Sequence, residues 1–260
     1  MLSERESRYW LAVAEELALW AVDRIRGARP IAVDTKADPA DLVTDVDREI
    51  ERHVLDRLAT VPGHRVRGEE YGTSPGEPGD LLWYVDAVDG TSNYAHDLGW
   101  SSFSLALADD AGLVVAAIGD PYRGEVTGAA RGLGARRNGH PVHCSPAGTL
   151  AGQLVLTELS GHRPWPGMAT LVEGLADRHA TTRIMGSSAL SVLAAGTGRA
   201  AATVLGHAGA VDVAAAVLIA REAGAVVRTP SGAEPAVPDG GPLLAAAPGV
   251  FAELTALYPR

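Results

Sequence analysis

Leu81-Leu82-Trp83-Tyr84-Val85-Asp86-Ala87-Val88-Asp89-Gly90-Thr91 is an apolar run that meets two carboxylates three positions apart, then a glycine and a threonine. An unbroken apolar run of this length, bounded by polar and turn-forming residues, predicts a buried strand that stops at the first carboxylate. The two aspartates then fall where a strand ends, just outside a sheet, which is where open α/β folds bind ligands. Gly90 and Thr91 add backbone N–H groups and a hydroxyl beside that point, a combination suited to phosphate oxygens. Paired carboxylates with no neighbouring His or Cys are hard oxygen donors and favour Mg²⁺ or Mn²⁺ over zinc. Taken alone, the same residues also describe an Asp-rich turn capping a helix.

Spacing removes two rivals. Haloacid-dehalogenase-type phosphatases carry D-x-D-G-T with a lysine downstream, whereas two residues separate Asp86 from Asp89 and the single lysine, Lys36, lies upstream. An EF-hand loop needs alternating oxygen ligands and a closing glutamate, which this stretch lacks.

Outward from this stretch the pattern alternates between helix and strand. Tyr9, Trp10, Val13, Leu17, Trp20 and Ile25 recur at helical spacing over residues 5–26, and Val46, Ile50, Val54 and Leu58 do so over 44–58. Residues 101–108 and 112–119 read as strands joined by a turn, and Asn138-Gly139 signals a tight hairpin. The composition changes around Pro146-Ala147-Gly148. Beyond it come a strand at 153–157, helices at 168–178 and 188–196, a strand at 200–205, a helix from Asp212 to a C-cap at Gly224, and a strand at 225–227. Strands interleaved with helices give a layered α/β class. The division expected is an N-terminal subdomain, 1–148, with most of the acidic motif residues, and a C-terminal subdomain, 149–260, with Asp212.

Composition narrows the partners. Among 260 residues, 22 Lys+Arg against 32 Asp+Glu leave a net charge of -10, opposite to the basic footprint of a nucleic-acid binder. A small phosphorylated substrate stays compatible, because a metal ion supplies positive charge. Cys144 is the single cysteine, which excludes an intramolecular disulfide framework and any Cys-rich metal site. No signal-peptide pattern opens the sequence, and the weakly charged stretch 184–220 is interrupted by Arg199, His207 and Asp212. A soluble cytoplasmic protein without membrane contact is the expectation.

Trp83-Tyr84-Val85-Asp86-Ala87-Val88-Asp89-Gly90-Thr91-Ser92-Asn93-Tyr94 resembles the first signature of the inositol monophosphatase family. Further segments in the same order carry the resemblance: Asp41-Leu42-Val43-Thr44 with Asp47, Gly68-Glu69-Glu70, Gly132-Leu133-Gly134-Ala135 with Asn138-Gly139, and Asp212-Val213-Ala214-Ala215 with Glu222-Ala223-Gly224. The resemblance implies an α-β-α-β-α sandwich of two subdomains, like fructose-1,6-bisphosphatase, with the active site between them. It implies two or three Mg²⁺, with Mn²⁺ as a substitute, held by Glu69, Asp86, Asp89, Asp212 and the backbone carbonyl of Val88. Thr91 and Asp47 match the pair that activates the attacking water, and Lys36 matches a lysine near the phosphate. Gly90, Thr91, Ser92, Gly186, Leu205 and His207 fall on phosphate- and substrate-side positions. Family members are commonly homodimers.

The activity implied is hydrolysis of a phosphate monoester, of inositol 1-phosphate first. The alternatives are histidinol phosphate, fructose-1,6-bisphosphate, an aminocyclitol phosphate or a 3′-phosphonucleotide, and a silent binding relative. Ala87 and Val211 stand where the family has proline and tryptophan. Leu205 stands where well-known members carry a glutamate that binds the inositol ring, so the pocket is expected to lose an acceptor there, gain apolar surface, and either accept several monoesters with similar kcat/KM or favour a less hydroxylated leaving group.

Overall fold

The computed structural model describes residues 2–28, 33–35, 38–39, 41–238 and 240–259. Ser3 and Glu6 form a capping box that starts helix α1 (Glu4–Gly27). Val13, Leu17 and Ile25 are buried as their spacing predicts, but Tyr9 is exposed and Ala14, Ala18 and Ala21 complete the buried stripe. These small residues let the helix lie flat on the sheet. A Cβ on Gly119 beneath it would come within 2.6 Å of Val22 Cγ2 and 3.0 Å of the Ala18 carbonyl.

The antiparallel strands β1 (Val33–Thr35) and β2 (Leu42–Thr44) lead into α2 (Asp45–Leu58), whose N-terminus is closed by a Thr44–Asp47 capping box. Strand β3 (His64–Gly68) runs parallel to β4 (Leu81–Asp89), and the short helix α3 (Thr91–Ala95) follows at once. From β4 an antiparallel meander continues through β5 (Ser102–Asp109), β6 (Gly112–Asp120), β7 (Glu125–Ala130), β8 (Ala135–Arg137) and β9 (His140–Pro141).

The rest of the chain builds a second sheet. Its elements are β10 (Leu154–Glu158), α4 (Met168–Asp177), β11 (Thr181–Arg183), α5 (Ser188–Gly196), β12 (Ala202–Leu205), α6 (Ala210–Glu222), β13 (Val226–Arg228), β14 (Leu243–Ala246) and α7 (Phe251–Leu257). The strand order is β11-β10-β12-β14-β13, with β11, β10 and β12 parallel and β14 antiparallel to both its neighbours.

The layers follow from where apolar surface must go. Helices α1 and α2 cover one face of the first sheet, while α6 covers the other and packs against α5, which lies on the second sheet. Helices α4 and α7 close the far side. The result is the α-β-α-β-α sandwich expected. Strands β5 and β6 are buried along almost their whole length, as a sheet covered on both faces requires. Helix α6 is buried continuously from Val213 to Ala220, with no polar stripe, because sheet and helix layers enclose it. Its alanines set the spacing, and a Cβ on Gly196 of α5 would lie 2.6 Å from Ala220 Cα. No helix among the described residues is long and apolar enough to cross a membrane.

The Asn138-Gly139 signal is realised as a left-handed pair, φ +47° and +79°, joining β8 to β9. Asn138 also accepts from the Val126 N–H at 2.8 Å through its side-chain oxygen. Asn138→Ala should therefore destabilise the protein by about 1–3 kcal/mol, from an unsatisfied N–H and from alanine's lower tolerance of left-handed backbone angles. Asn138→Asp, which keeps an acceptor, should lose less. Urea denaturation of the two variants measures the difference.

Candidate active site

Strand β4 does not stop at Val85; it continues through both aspartates to Asp89. Residues three apart on a regular strand point to opposite faces. Here Asp86 pairs with Ser104 and Asp89 with Ser102, so three steps on β4 match two on β5, and the extra residue is a β-bulge. Both carboxylates consequently open into one cavity. Gly90 then turns the chain at φ +88°, where a Cβ would lie 2.9 Å from the Trp100 carbonyl oxygen and 3.0 Å from that of Gly186. Only glycine fits both the angle and the space.

Glu69 reaches the cavity on the turn after β3. The buried Glu51 carboxylate of α2 holds that turn, accepting the N–H groups of Glu70 and Tyr71 at 2.8 Å each. It fills the space beside Gly68 so fully that a Cβ there would meet its Oε1 at 2.0 Å. Asp212 enters from the first turn of α6, three residues after the N-cap Gly209, where the positive end of the helix favours a carboxylate.

Thr91 lies beside these groups. Its hydroxyl has Val88 O at 2.9 Å and Asp47 Oδ1 at 3.2 Å as acceptors. Asp47 is itself fixed by the N–H of Thr44 at 3.0 Å and by the Thr44 hydroxyl. Burial raises the Asp47 carboxyl to about 6, although the Thr44 and Thr91 bonds favour its charged form.

A second set of contacts ties the C-terminal half to this point. Glu158, buried at the end of β10, accepts the N–H of Gly186 at 2.7 Å, that of Met185 at 3.3 Å and the hydroxyl of Ser191. From the other side the Asn93 side-chain amide donates to the carbonyls of Met185 at 2.7 Å and Trp100 at 2.8 Å. The turn so gripped delivers Ser187, whose hydroxyl donates to Asp89 Oδ2, and the Ala189 N–H reaches the same oxygen at 2.9 Å.

The resulting cavity has a volume of about 370 Å³, enough for a small phosphorylated molecule. Glu69, Asp86, Val88, Asp89 and Asp212 line it together with Gly90, Thr91, Ser92 and Gly186. Burial, followed by repulsion from Glu69, Asp89 and Asp212, holds Asp86 well above the usual carboxylate range. Burial raises Asp89 to about 8, with Asp212 adding to the rise and the Ser187 bond opposing it. Among the described residues no three acidic or imidazole groups stand close enough to grip an ion as they are. The donor set nevertheless fits a hard divalent cation: it is all oxygen, it lines one cavity, and its buried members either bind protons or share a cation to relieve their repulsion.

Two sequence-predicted residues lie elsewhere. Leu205 is 1% exposed in the core between the sheets, paired with Leu243 and Glu158 across its strand, and does not line the cavity. Its side chain therefore neither widens the pocket nor lends it apolar surface. His207 is exposed and packs beside Gly240. His96, in a segment bordering the motif, bonds the Ser92 carbonyl at 2.8 Å instead of lining the cavity. Lys36 lies outside the described residues. Glu158, Ser187, Ser188, Leu159, His162 and Ile184 belong to the site without a sequence signal that singled them out. Thr157-Glu158, an acid at the end of an apolar run, repeats in weaker form the pattern at Val85-Asp86.

The sign of the pH dependence follows. Asp47 and Asp89 bind protons more tightly in the folded chain than in the unfolded one, where carboxyls titrate near ~4. Between there and the folded values of about 6 and about 8, the folded state holds the extra protons, so its stability falls as pH rises. Metal-free protein should melt at a lower temperature at pH 8 than at pH 5, Mg²⁺ should recover more at pH 8, and Asp89→Asn should flatten the slope. Thermal melts in chelator and in Mg²⁺ check this; no fall across the window would show that burial does not raise these carboxyls in the folded chain.

The sequence matches the inositol monophosphatase family over residues 6–258. It is 31% identical over 203 residues to a fructose-1,6-bisphosphatase/inositol-1-monophosphatase of Thermotoga maritima, covering 78% of this chain and 77% of that protein. It is 34% identical over 275 aligned positions to the inositol-1-monophosphatase of Mycobacterium bovis, covering 96% and 93% of the two chains. The crystal structure of extragenic suppressor protein SuhB from Bartonella henselae has the same fold, with a TM-score of 0.86 over 97% of this chain and 99% of that one, at 24% identity. With this match along nearly its whole length and the acidic cavity between its layers, the chain belongs to the inositol monophosphatase family and is a phosphoric monoester hydrolase.

Proposed function

We propose that the chain hydrolyses small phosphate monoesters with Mg²⁺ by direct attack of water, without a covalent intermediate. The observation that carries this reading is the convergence of Glu69, Asp86, Asp89 and Asp212 on one cavity with the Thr91–Asp47 pair beside them. Glu69, Asp86, Asp89, Asp212 and the carbonyl of Val88 would hold the ions, two or three per site. When bound, Mg²⁺ acidifies water and neutralises charge on the phosphate and leaving oxygen.

The chain's own residues supply orientation and proton transfer. The Thr91 hydroxyl has one proton and two acceptors, Val88 O and Asp47 Oδ1. With that proton directed to Asp47, the Thr91 oxygen presents a lone pair to a water in the cavity. As the water oxygen bonds to phosphorus, its proton passes to Thr91 and the threonine proton passes to Asp47. The bond from phosphorus to the leaving oxygen breaks on the opposite side, and solvent protonates the departing alkoxide to give the alcohol. Gly90, Thr91 and Ser92, at the start of α3, line the cavity, and their N–H groups would serve to bind phosphate oxygens. Glu158 and Asn93 keep the Gly186 turn in place.

Inositol 1-phosphate and fructose-1,6-bisphosphate are the first substrates to test, since relatives are named for them. The working form we propose is a cytoplasmic homodimer, with the site between the halves 1–148 and 149–260.

Chelation should abolish phosphate release, and Mg²⁺ should restore it. Asp89→Asn should weaken Mg²⁺ and phosphate binding together. Thr91→Ala should keep Mg²⁺ binding by calorimetry and lower kcat by roughly 100-fold or more, the usual scale for losing general-base assistance. Full activity in excess chelator, or normal turnover by Thr91→Ala, would refute the mechanism.

A further inference from the structure

The carboxylates, Thr91 and the glycines account for the floor of the cavity; Leu159, Ile184 and His162 line it and have no part in that chemistry. Leu159 is 43% exposed and Ile184 50% exposed. Single aliphatic side chains on a surface need no explanation, but two that border the same highly charged cavity offer a ligand an apolar wall.

Their placement is rigid. Leu159 directly follows Glu158, and Ile184 directly precedes Met185, whose N–H is bound by that same Glu158 carboxylate. One buried acid thus fixes the chain on both sides of the wall. His162 stands on a two-residue turn closed by Ser160 N–H to Arg163 O at 2.8 Å and Arg163 N–H to Ser160 O at 3.1 Å. Gly161 at φ +53° and His162 at φ +64° make it a left-handed turn, a conformation few non-glycine residues adopt. The turn is anchored by the buried Trp165, whose Nε1–H donates to Thr157 Oγ1 at 3.3 Å, and Gly206 leaves no room for a Cβ, which would meet Trp165 Cγ at 2.2 Å. His162 is thus held where it is both exposed and part of the cavity lining.

A polyol ring is poorly matched to such a wall, because hydroxyls facing Leu159 and Ile184 would lose water without gaining partners. A ring with an apolar face would instead displace water from both side chains. We propose that Leu159, Ile184 and His162 form a leaving-group subsite, and that the preferred substrates are monoesters of an alcohol carrying an apolar-faced or aromatic ring. This rests on the reading of the cavity as a monoester hydrolase site.

Benzyl phosphate and glycerol 1-phosphate, both esters of primary alcohols, test it with the Mg²⁺-loaded full chain, alongside inositol 1-phosphate. The wild type should favour benzyl phosphate in kcat/KM over both others by about tenfold or more, the scale of an added apolar contact in a pocket. Leu159→Ser with Ile184→Asn should lower the benzyl-to-glycerol ratio at least fivefold, through KM for the benzyl ester. His162→Asn, which tolerates the left-handed backbone and removes the ring, should lower it in the same direction. Because all three positions are exposed, thermal melts should show the variants folded. Release of phosphate from glycerol 1-phosphate with no preference for the benzyl ester, or a ratio unmoved by the double variant, would overturn the subsite and leave the hydrolase reading standing. Release from none of the three esters would overturn both.

Discussion

Burying Asp86 and Asp89 side by side, with Glu69 and Asp212 facing them, is the constraint to which the centre of this molecule answers. Like charges held in a poorly solvated cavity repel strongly, and the folded chain either keeps protons on them or shares a cation among them. Each carboxylate is delivered by a different local device. A bulge in β4 turns two aspartates to one side, a glycine turn clamped by Glu51 carries Glu69, and the first turn of α6 carries Asp212. None of these devices is stable by itself in that position; the layers on either side of the first sheet hold them there.

The layers do so by close approach. Helix α1 rests on Gly119, and α5 rests on α6 at Gly196, in both cases with no space for a β-carbon. The alanine-rich helices α5 and α6 fill the interior between the two sheets and approach each other closely at Gly196 and Ala220, and from this half of the chain Ser187 and Ala189 reach Asp89. Packing and chemistry are thus coupled: the hydrogen bonds that fix a cavity carboxylate come from the opposite half of the chain. Glu158 and Asn93 extend the same coupling outward, since the turn they grip also sets the position of Ile184 at the mouth.

The amino-acid sequence alone determined the class of the fold, the type of chemistry and most of the floor of the site. Helical and strand periods are local properties, so α2 buries Val46, Ile50, Val54 and Leu58 as their spacing requires, and Asn138-Gly139 makes its turn because only a few residue types adopt left-handed angles. The acidic motifs were legible because each is a short run whose members act together. Tertiary structure decided what depends on partners distant in the chain. Whether Asp86 and Asp89 share a face rests on a bulge that is defined only by pairing with β5. Leu205, taken from the sequence as a pocket residue, is drawn into the core because β12 is a central strand, flanked by β10 and β14, and its side chain packs in the apolar cluster between the sheets. Leu159, His162 and Ile184 had no signal, because a half-exposed aliphatic residue or a histidine in a loop has no pattern of its own. Only the packing of β10, β11 and the Trp165 anchor around Glu158 places them at one mouth.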